Sequence, residues 1–398
     1  MTQPEPQHKK ISCPYCGDAK LNHTLAYINN TISSFIEPSM YMVVKHSPNF
    51  VKKFVDIFIE FLMRILLLLH IAKLSNDIDG ALTFRSRVIW EEAQRRRIQM
   101  EQIIIFGKKT ETYRAKINDK YYFFNSLPVP SMMLDHVSEN WDNKYFLKKE
   151  LDKINIPVPK YKEIGFLNTI NPTGIFNSFI KPIIVKPRSG SRGRHTTTNI
   201  HTLEEFKNAI GVARVICPTL LVEEHLHGYI CRATVVDGKL AGFYRAEMPY
   251  VVGDGMHSIL ELVEIKNKNR PERISAIEFS KEMKNYIARL GFDINDVLLK
   301  NYKLLLTHRT GRLFGGYTKE MLDELHPSFI PIIESAAERT GLAIAGFDCI
   351  VPDPFANSQS QRWGIIECNT LPFIDLHYYA YEGIPKNIAG MIWDLWKK

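Results

Sequence analysis

Between Ile183 and Ile200 the chain reads IIVKPRSGSRGRHTTTNI, and no other stretch constrains its fold as much. A β-branched run of this kind belongs in a buried strand. It delivers one lysine, Lys186, and then a proline, which a ladder does not readily continue through. The next six residues are Ser189-Gly190-Ser191-Arg192-Gly193-Arg194. Glycines let backbone N–H groups converge on anionic oxygens, and arginines add charge-assisted donors. No GKS or GKT follows, so this is not a Walker loop, and the glycine spacing does not fit a dinucleotide fingerprint. The segment reads as a nucleotide-phosphate loop of another kind; a flexible basic surface hairpin is the alternative.

A chain of 398 residues is long for one core, so two or three domains are expected. Lysine and arginine number 51 against 43 acidic residues, a net charge of +8 spread along the chain. That balance suits an anionic ligand. No aromatic-studded basic face marks a nucleic-acid partner. Six cysteines are too few for a disulfide framework, which points to a reduced, cytoplasmic protein. The opening MTQPEPQHKK has no apolar run behind its charges, so no signal peptide is expected.

The very apolar stretch Phe54–Ala72 places Asp56, Glu60 and Arg64 four apart on one helical face. A membrane-spanning helix would carry those charges into hydrocarbon, so a core or interface helix is expected and no transmembrane segment. The chain divides into an N-terminal region, 1–80, a small α/β region, 81–134, and a larger remainder, 135–398. Expected elements include strands at Gln102–Phe106 and Thr112–Ile117, a hairpin turning at Asn118-Asp119, and a helix at Lys144–Lys153. Further on, Leu203–Arg214 is a helix capped by Thr202 and Glu205, and a second hairpin turns at Asp237-Gly238. Glu264–Arg273 reads as a charged exposed segment, Phe279–Leu290 as helix and Val297–Thr307 as strand. Helix Pro331–Thr340, strands Ala343–Val351 and Trp363–Cys368, and an amphipathic helix over 384–396 complete the pattern. The Phe54–Ala72 and Ile384–Trp396 helices are candidate surfaces of a homodimer.

A second chemical signal lies near the end. Asp348 sits inside the apolar strand AIAGFDCIV, and Glu367 and Asn369 bracket Cys368 in WGIIECN. A carboxylate in such a strand is costly unless paired or metal-bound. Glu367 and Asn369, two apart, share one face of an extended strand. If the two strands are neighbours, three oxygen ligands converge on a hard cation such as Mg²⁺. Strand-end carboxylates facing water are the plainer alternative. Leu221-Val222-Glu223-Glu224-His225 has the apolar-then-acidic form of a nucleotide linker. Arg232, Arg245 and Arg309 suggest a cleft for a polyanion or a carboxylate. Cys13-Pro14-Tyr15-Cys16-Gly17 is half of a zinc knuckle, but with His8 and His23 as nearest partners it fits no standard finger, which favours plain surface cysteines over zinc.

Taken in order, DNKYFLKKELDKINIPVP, IIVKPRSGSRG, LLVEEHLHGYICRATVVDGKLAGFYRAEMPYVVGDGMHSILELV, Asp323…His326-Pro327 and GFDCIV…WGIIECN resemble the ATP-grasp carboxylate ligases. The resemblance runs over residues 135–395 and is nearest the amino-acid and peptide ligases that include cyanophycin synthetase and bifunctional glutathione synthetase. It implies an α+β ATP-grasp fold, two α+β subdomains clasping ATP, behind a smaller N-terminal α/β region. Residues 183–225 would lie in the nucleotide-clasping subdomain, and 226–398 would carry the metal site. It implies ATP and Mg²⁺, two ions, with amino-acid or small-peptide substrates. By the same resemblance Lys144 and Lys186 reach the nucleotide, Ser189, Gly190, Ser191, Arg192 and Gly193 cover its phosphates, and Val222, Glu223 and Glu224 flank adenine or ribose. Arg232 and Arg245 match arginines near the phosphates and acyl phosphate, and Asp348, Glu367 and Asn369 match metal ligands. The implied chemistry is amide formation through an acyl phosphate. A small-molecule kinase and a non-catalytic nucleotide scaffold are the alternatives. Arg192 and Arg194 make the loop unusually basic, and Arg309-Thr310-Gly311-Arg312 departs from the Asn-Leu-Ser-Thr-Gly-Gly run of cyanophycin synthetase, so a different substrate is expected; Arg309 and Arg312 are candidates to bind its carboxylate.

Overall fold

The chain folds as two units, one from Met1–Ser47 with Ser138–Leu226, the other from Pro48–Val137 with His227–Lys398. The computed structural model describes residues 13, 15–16, 21–32, 60–130, 133, 141–165, 171–189, 193–307 and 310–397. In the first unit helix α1 covers residues 23–32. In the second, α2 covers 60–68 and carries the Glu60–Arg64 ion pair, 2.6 Å and one turn apart on an exposed face. The rest of the apolar run before residue 60 lies outside the described residues. Among the described residues, no helix is long and apolar enough to cross a membrane.

The second unit begins its sheet structure with β1 (Ala72–Ser75), β2 (Met100–Ile105), β3 (Lys108–Ile117) and β4 (Lys120–Asn125), antiparallel and in that order, with α3 (Phe84–Arg95) between β1 and β2. The expected hairpin at Asn118-Asp119 is present, with φ of 47° and 62° at its two central residues. Two positive φ values give a turn whose twist matches the strands it joins.

The first unit continues with α4 (Lys144–Asp152), β5 (Tyr161–Ile164), α5 (Pro172–Asn177), β6 (Ile183–Pro187), β7 (Thr197–Ile200), α6 (Leu203–Arg214) and β8 (Leu220–Glu224). Its antiparallel sheet runs β5-β8-β6-β7. Ile183, Val185, Leu220 and Val222 pack with Phe206, Ala209 and Ala213 in one buried cluster. Each such fully buried large apolar side chain contributes about 1.5–3 kcal/mol. The Thr202–Glu205 capping box closes the start of α6.

The remaining elements belong to the second unit. They are β9 (Tyr229–Val236), β10 (Lys239–Ala246), β11 (Tyr250–Val252), α7 (Ile259–Lys268), α8 (Lys281–Arg289), β12 (Lys303–Leu305) and β13 (Thr318–Glu320). After these come α9 (Phe329–Thr340), β14 (Ile344–Val351), β15 (Gly364–Asn369), α10 (Asp375–Tyr378) and α11 (Ile388–Asp394). Five strands form one antiparallel sheet, β13-β10-β9-β14-β15. It carries two bulges: Ala241 is an extra residue in β10, and Ile366 is an extra residue in β15. A bulge bends its strand and re-aims the side chains beyond it.

Three expectations need correction. Residues 264–268 are helical, because Ser258 and Glu261 form a capping box that starts α7 ahead of the charged run. Of 297–307, only Lys303–Leu305 is strand. The 384–396 region is not a free dimer surface: Ile388, Ala389, Ile392 and Trp393 are buried in a cluster with Val88, Ile89 and Trp90 of α3. Trp393 Nε1 donates to the Ile89 carbonyl at 3.0 Å, so the amphipathic face is already used inside the unit.

Candidate functional site

In the first unit, β6 carries Lys186 next to its last residue, and the neighbouring β8 presents Glu223. Lys186 Nζ lies 2.8 Å from Glu223 Oε2, and Lys148 Nζ of α4 lies 2.9 Å from Oε1. Lys148 and Glu223 are buried. Burial alone would push the Glu223 carboxyl upward, but the two ammonium groups reverse this and hold it below its ordinary range. Burial pushes Lys148 down to about 7; Glu223 opposes this and the nearby Lys186 adds to it. Two lysines poised on one carboxylate form a cationic pair that can be handed to phosphate oxygens.

Sequence reasoning chose Lys144 and passed over Lys148. Both lie on α4, four residues apart and so on one face, which is the signal that marks Lys148. Lys144 opens the helix, is also buried, and adds its positive charge to the field at Lys148. Val222 turns its side chain into the core, and Glu224 Oε2 accepts from the Lys160 backbone N–H at 3.0 Å. Of the glycine-rich loop, Ser189 and Gly193 are described, Gly193 with φ of 64°. Gly190, Ser191 and Arg192 lie outside the described residues.

In the second unit, Glu320, Tyr244, Arg232, Asp348 and Glu367 are successive cross-strand partners, one rung spanning all five strands. Arg232 meets Asp348 as a fork, Nε to Oδ1 at 2.6 Å and Nη2 to Oδ2 at 2.7 Å. Burial would lower the Arg232 pKa, and the Asp348 carboxylate more than restores it. Two residues along each strand, Gly242, Thr234, Gly346 and Asn369 form a second rung on the same face. Asn369 Nδ2 lies 3.4 Å from Asp348 Oδ2. Gly346 must be glycine here, since a Cβ would sit 2.6 Å from Pro372 Cβ. Asp348, Glu367 and Asn369 thus share one face, as expected. Two carboxylates and an amide oxygen suit a hard divalent cation, and Asp348 Oδ1 has a second lone pair beside its bond to Arg232.

The other arginines lie elsewhere. Arg245 belongs to the intervening rung with Lys319, Cys231 and Cys349, hence the opposite face. Its guanidinium stacks 4.3 Å over the Tyr229 ring and donates to Glu247. Arg309 lies outside the described residues. Arg312 pairs with the buried Asp375. A group that sequence reasoning missed supports the face of Asp348 and Glu367: buried His377 places Nδ1 2.6 Å from Glu320 Oε2 and Nε2 2.7 Å from Thr234 Oγ1. Cys368, between Glu367 and Asn369, is buried and turned away from their face, which excludes it as an exposed nucleophile.

The chain is 29% identical over 260 residues to the cyanophycin synthetase of Trichormus variabilis, covering 64% of this chain and 29% of that protein. It is 26% identical over 268 residues to the glutathione biosynthesis bifunctional protein of Mannheimia succiniciproducens, covering 63% and 35%. The crystal structure of a bifunctional glutathione synthetase from Pasteurella multocida superposes with a TM-score of 0.61 at 21% identity, over 79% of this chain and 44% of that one. The chain has the ATP-grasp fold and is related to these ligases. It spans less than half the length of each of them. No family model matches it.

Proposed function

We propose that this ATP-grasp protein is an ATP-dependent carboxylate–amine ligase acting on an amino acid or small peptide. The observation that carries the reading is the Arg232–Asp348–Glu367 rung with Asn369 on the same face, a guanidinium beside a three-oxygen ligand set. The similarity to two kinds of ligase across some two thirds of the chain supports it. Lys148 and Lys186 would bind phosphate oxygens, with Glu223 holding the two ammonium groups in place or accepting from ribose. The Ser189–Gly193 loop would cover the phosphates and keep water from the intermediate. Asp348, Glu367 and Asn369 would hold Mg²⁺, as two ions, which would neutralise charge on the transferring phosphoryl group.

The substrate carboxylate oxygen attacks the γ-phosphorus of ATP, the bond to ADP breaks, and an acyl phosphate forms. An amine then attacks the acyl carbon, loses a proton, and expels inorganic phosphate. Arg232 stabilises charge on the transferred group, and no protein nucleophile is needed. The test is phosphate release from ATP across a panel of amino acids and dipeptides, with mass detection of products. Amine-dependent release with an amide product is expected. A phosphorylated product that never gains an amine would make the protein a kinase, and nucleotide binding without turnover would make it a scaffold.

A further inference from the structure

The Cys13-x-x-Cys16 pair fits no finger by spacing because its remaining ligand is far away in the chain. Cys13, Cys16, His23 and His195 bring one ligand atom each to within 4.8 Å of all the others. Cys16 is buried, against the expectation of a surface cysteine. We infer that these four residues form a tetrahedral Cys₂His₂ zinc site that fastens the N-terminal segment to the chain just after the glycine-rich loop.

Four of the six separations are close to those of a coordination shell. Zinc–sulfur bonds near 2.3 Å and zinc–nitrogen bonds near 2.0–2.1 Å, at tetrahedral angles, put sulfur–nitrogen edges at about 3.5 Å and the nitrogen–nitrogen edge at about 3.3 Å. Cys13 Sγ to His195 Nε2 is 3.6 Å, Cys16 Sγ to His195 Nε2 is 3.4 Å, and Cys16 Sγ to His23 Nε2 is 3.1 Å. The two Nε2 atoms are 3.3 Å apart. The rings of His23 and His195 meet nearly at right angles, 88°, so their ring edges converge without stacking.

The second layer is built as well. His195 Nδ1 lies 2.7 Å from the Val212 carbonyl, and only a protonated Nδ1 can donate there. That fixes the tautomer and leaves the Nε2 lone pair facing the two sulfurs, the arrangement metal-bound histidines favour. His195 N–H donates to the Tyr15 carbonyl at 3.1 Å, and Cys16 N–H to the Cys13 carbonyl at 3.2 Å, so the backbone of the cysteine turn is locked to the histidine. His195 takes a φ of 53°, a left-handed conformation that a non-glycine residue holds only when its surroundings require it. Two thiolates and two imidazoles in a closed tetrahedron select zinc and leave no open position, which marks a structural site.

The test uses the full chain, stripped by chelator and reloaded with Zn²⁺ or Co²⁺ alone. One zinc per chain is expected, and the cobalt form should show the visible bands of tetrahedral Co²⁺ with a thiolate charge-transfer band. Cys13→Ser, at the less buried cysteine, should weaken binding at least tenfold and reduce the charge-transfer band. In the unsubstituted protein, alkylation of Cys13 and Cys16 should slow on loading, read by peptide mass. Equal alkylation rates with and without zinc, or a six-coordinate cobalt spectrum with no thiolate band, would overturn the proposal. So would full zinc retention by the Cys13→Ser/Cys16→Ser double variant.

Discussion

Arg232 and Asp348 are both cross-strand partners and a two-point ion pair, with side chains only 10% and 19% exposed. Removing one member of such a pair leaves the other charge stranded. Asp348→Asn should therefore cost about 3–5 kcal/mol, read as a lower urea midpoint. The double variant Arg232→Met/Asp348→Leu should regain most of that stability and still fail to turn over ATP. A single variant as stable as the parent would show that the fork contributes nothing.

Glu367→Gln keeps the size of the side chain but removes one charge from the proposed ligand set. Phosphate release should fall at least about 100-fold, the scale of losing a group that stabilises transition-state charge. The thermal midpoint should stay where it was. Undiminished turnover would take Glu367 out of the proposed ligand set.

Glu223 gives a pH dependence with a definite sign. Its folded pKa lies below the ordinary 4.5 because Lys148 and Lys186 outweigh burial. Its contribution to stability is fully present above that ordinary value and is lost as pH falls through the folded one. Glu223→Gln lacks this term. Urea titrations at several pH values should show the gap between parent and variant widest near neutrality, narrowing below about pH 4.5. A gap that stays constant into acid would mean that Glu223 is not held ionised by the lysines.

Two glycines should respond in opposite directions to alanine. A Cβ on Gly242 would sit 2.4 Å from Nδ1 of the buried His377, so Gly242→Ala should lower the melting temperature and disturb the Glu320–His377–Thr234 contacts. Overpacking of this kind costs about 1–3 kcal/mol. Gly211 lies within α6 with open space around it. Gly211→Ala should raise stability by roughly 0.5–1 kcal/mol. Calorimetry of the two variants decides both.

Much of this was legible in the sequence because it is local. The Asn118-Asp119 and Asp237-Gly238 turns, the Thr202–Glu205 cap and the shared face of Glu367 and Asn369 each follow from residues close together in the chain. The fold class could also be read, since the ligase-like segments keep their order over residues 135–395. What escaped depends on distant partners. Lys148 gains its meaning only from Glu223, 75 positions on, and His195 only from a cysteine turn near residue 13. The burial of α11 was hidden for the same reason: an amphipathic helix looks alike whether its apolar face meets another subunit or α3 of its own chain.

The bulges in β10 and β15 make this sheet's tolerance of changes in length uneven. Ile366 is the extra residue between Ile365, paired with Cys349, and Glu367, paired with Asp348. Deleting it would leave both pairs in register and take away the bend that aims Glu367 and Asn369. In a deletion scan, the ladder should keep its pairing after loss of Ala241 or Ile366, whereas a single deletion at Phe347, in a strand paired to β9 without a spare residue, should slip the register and turn side chains to the other face.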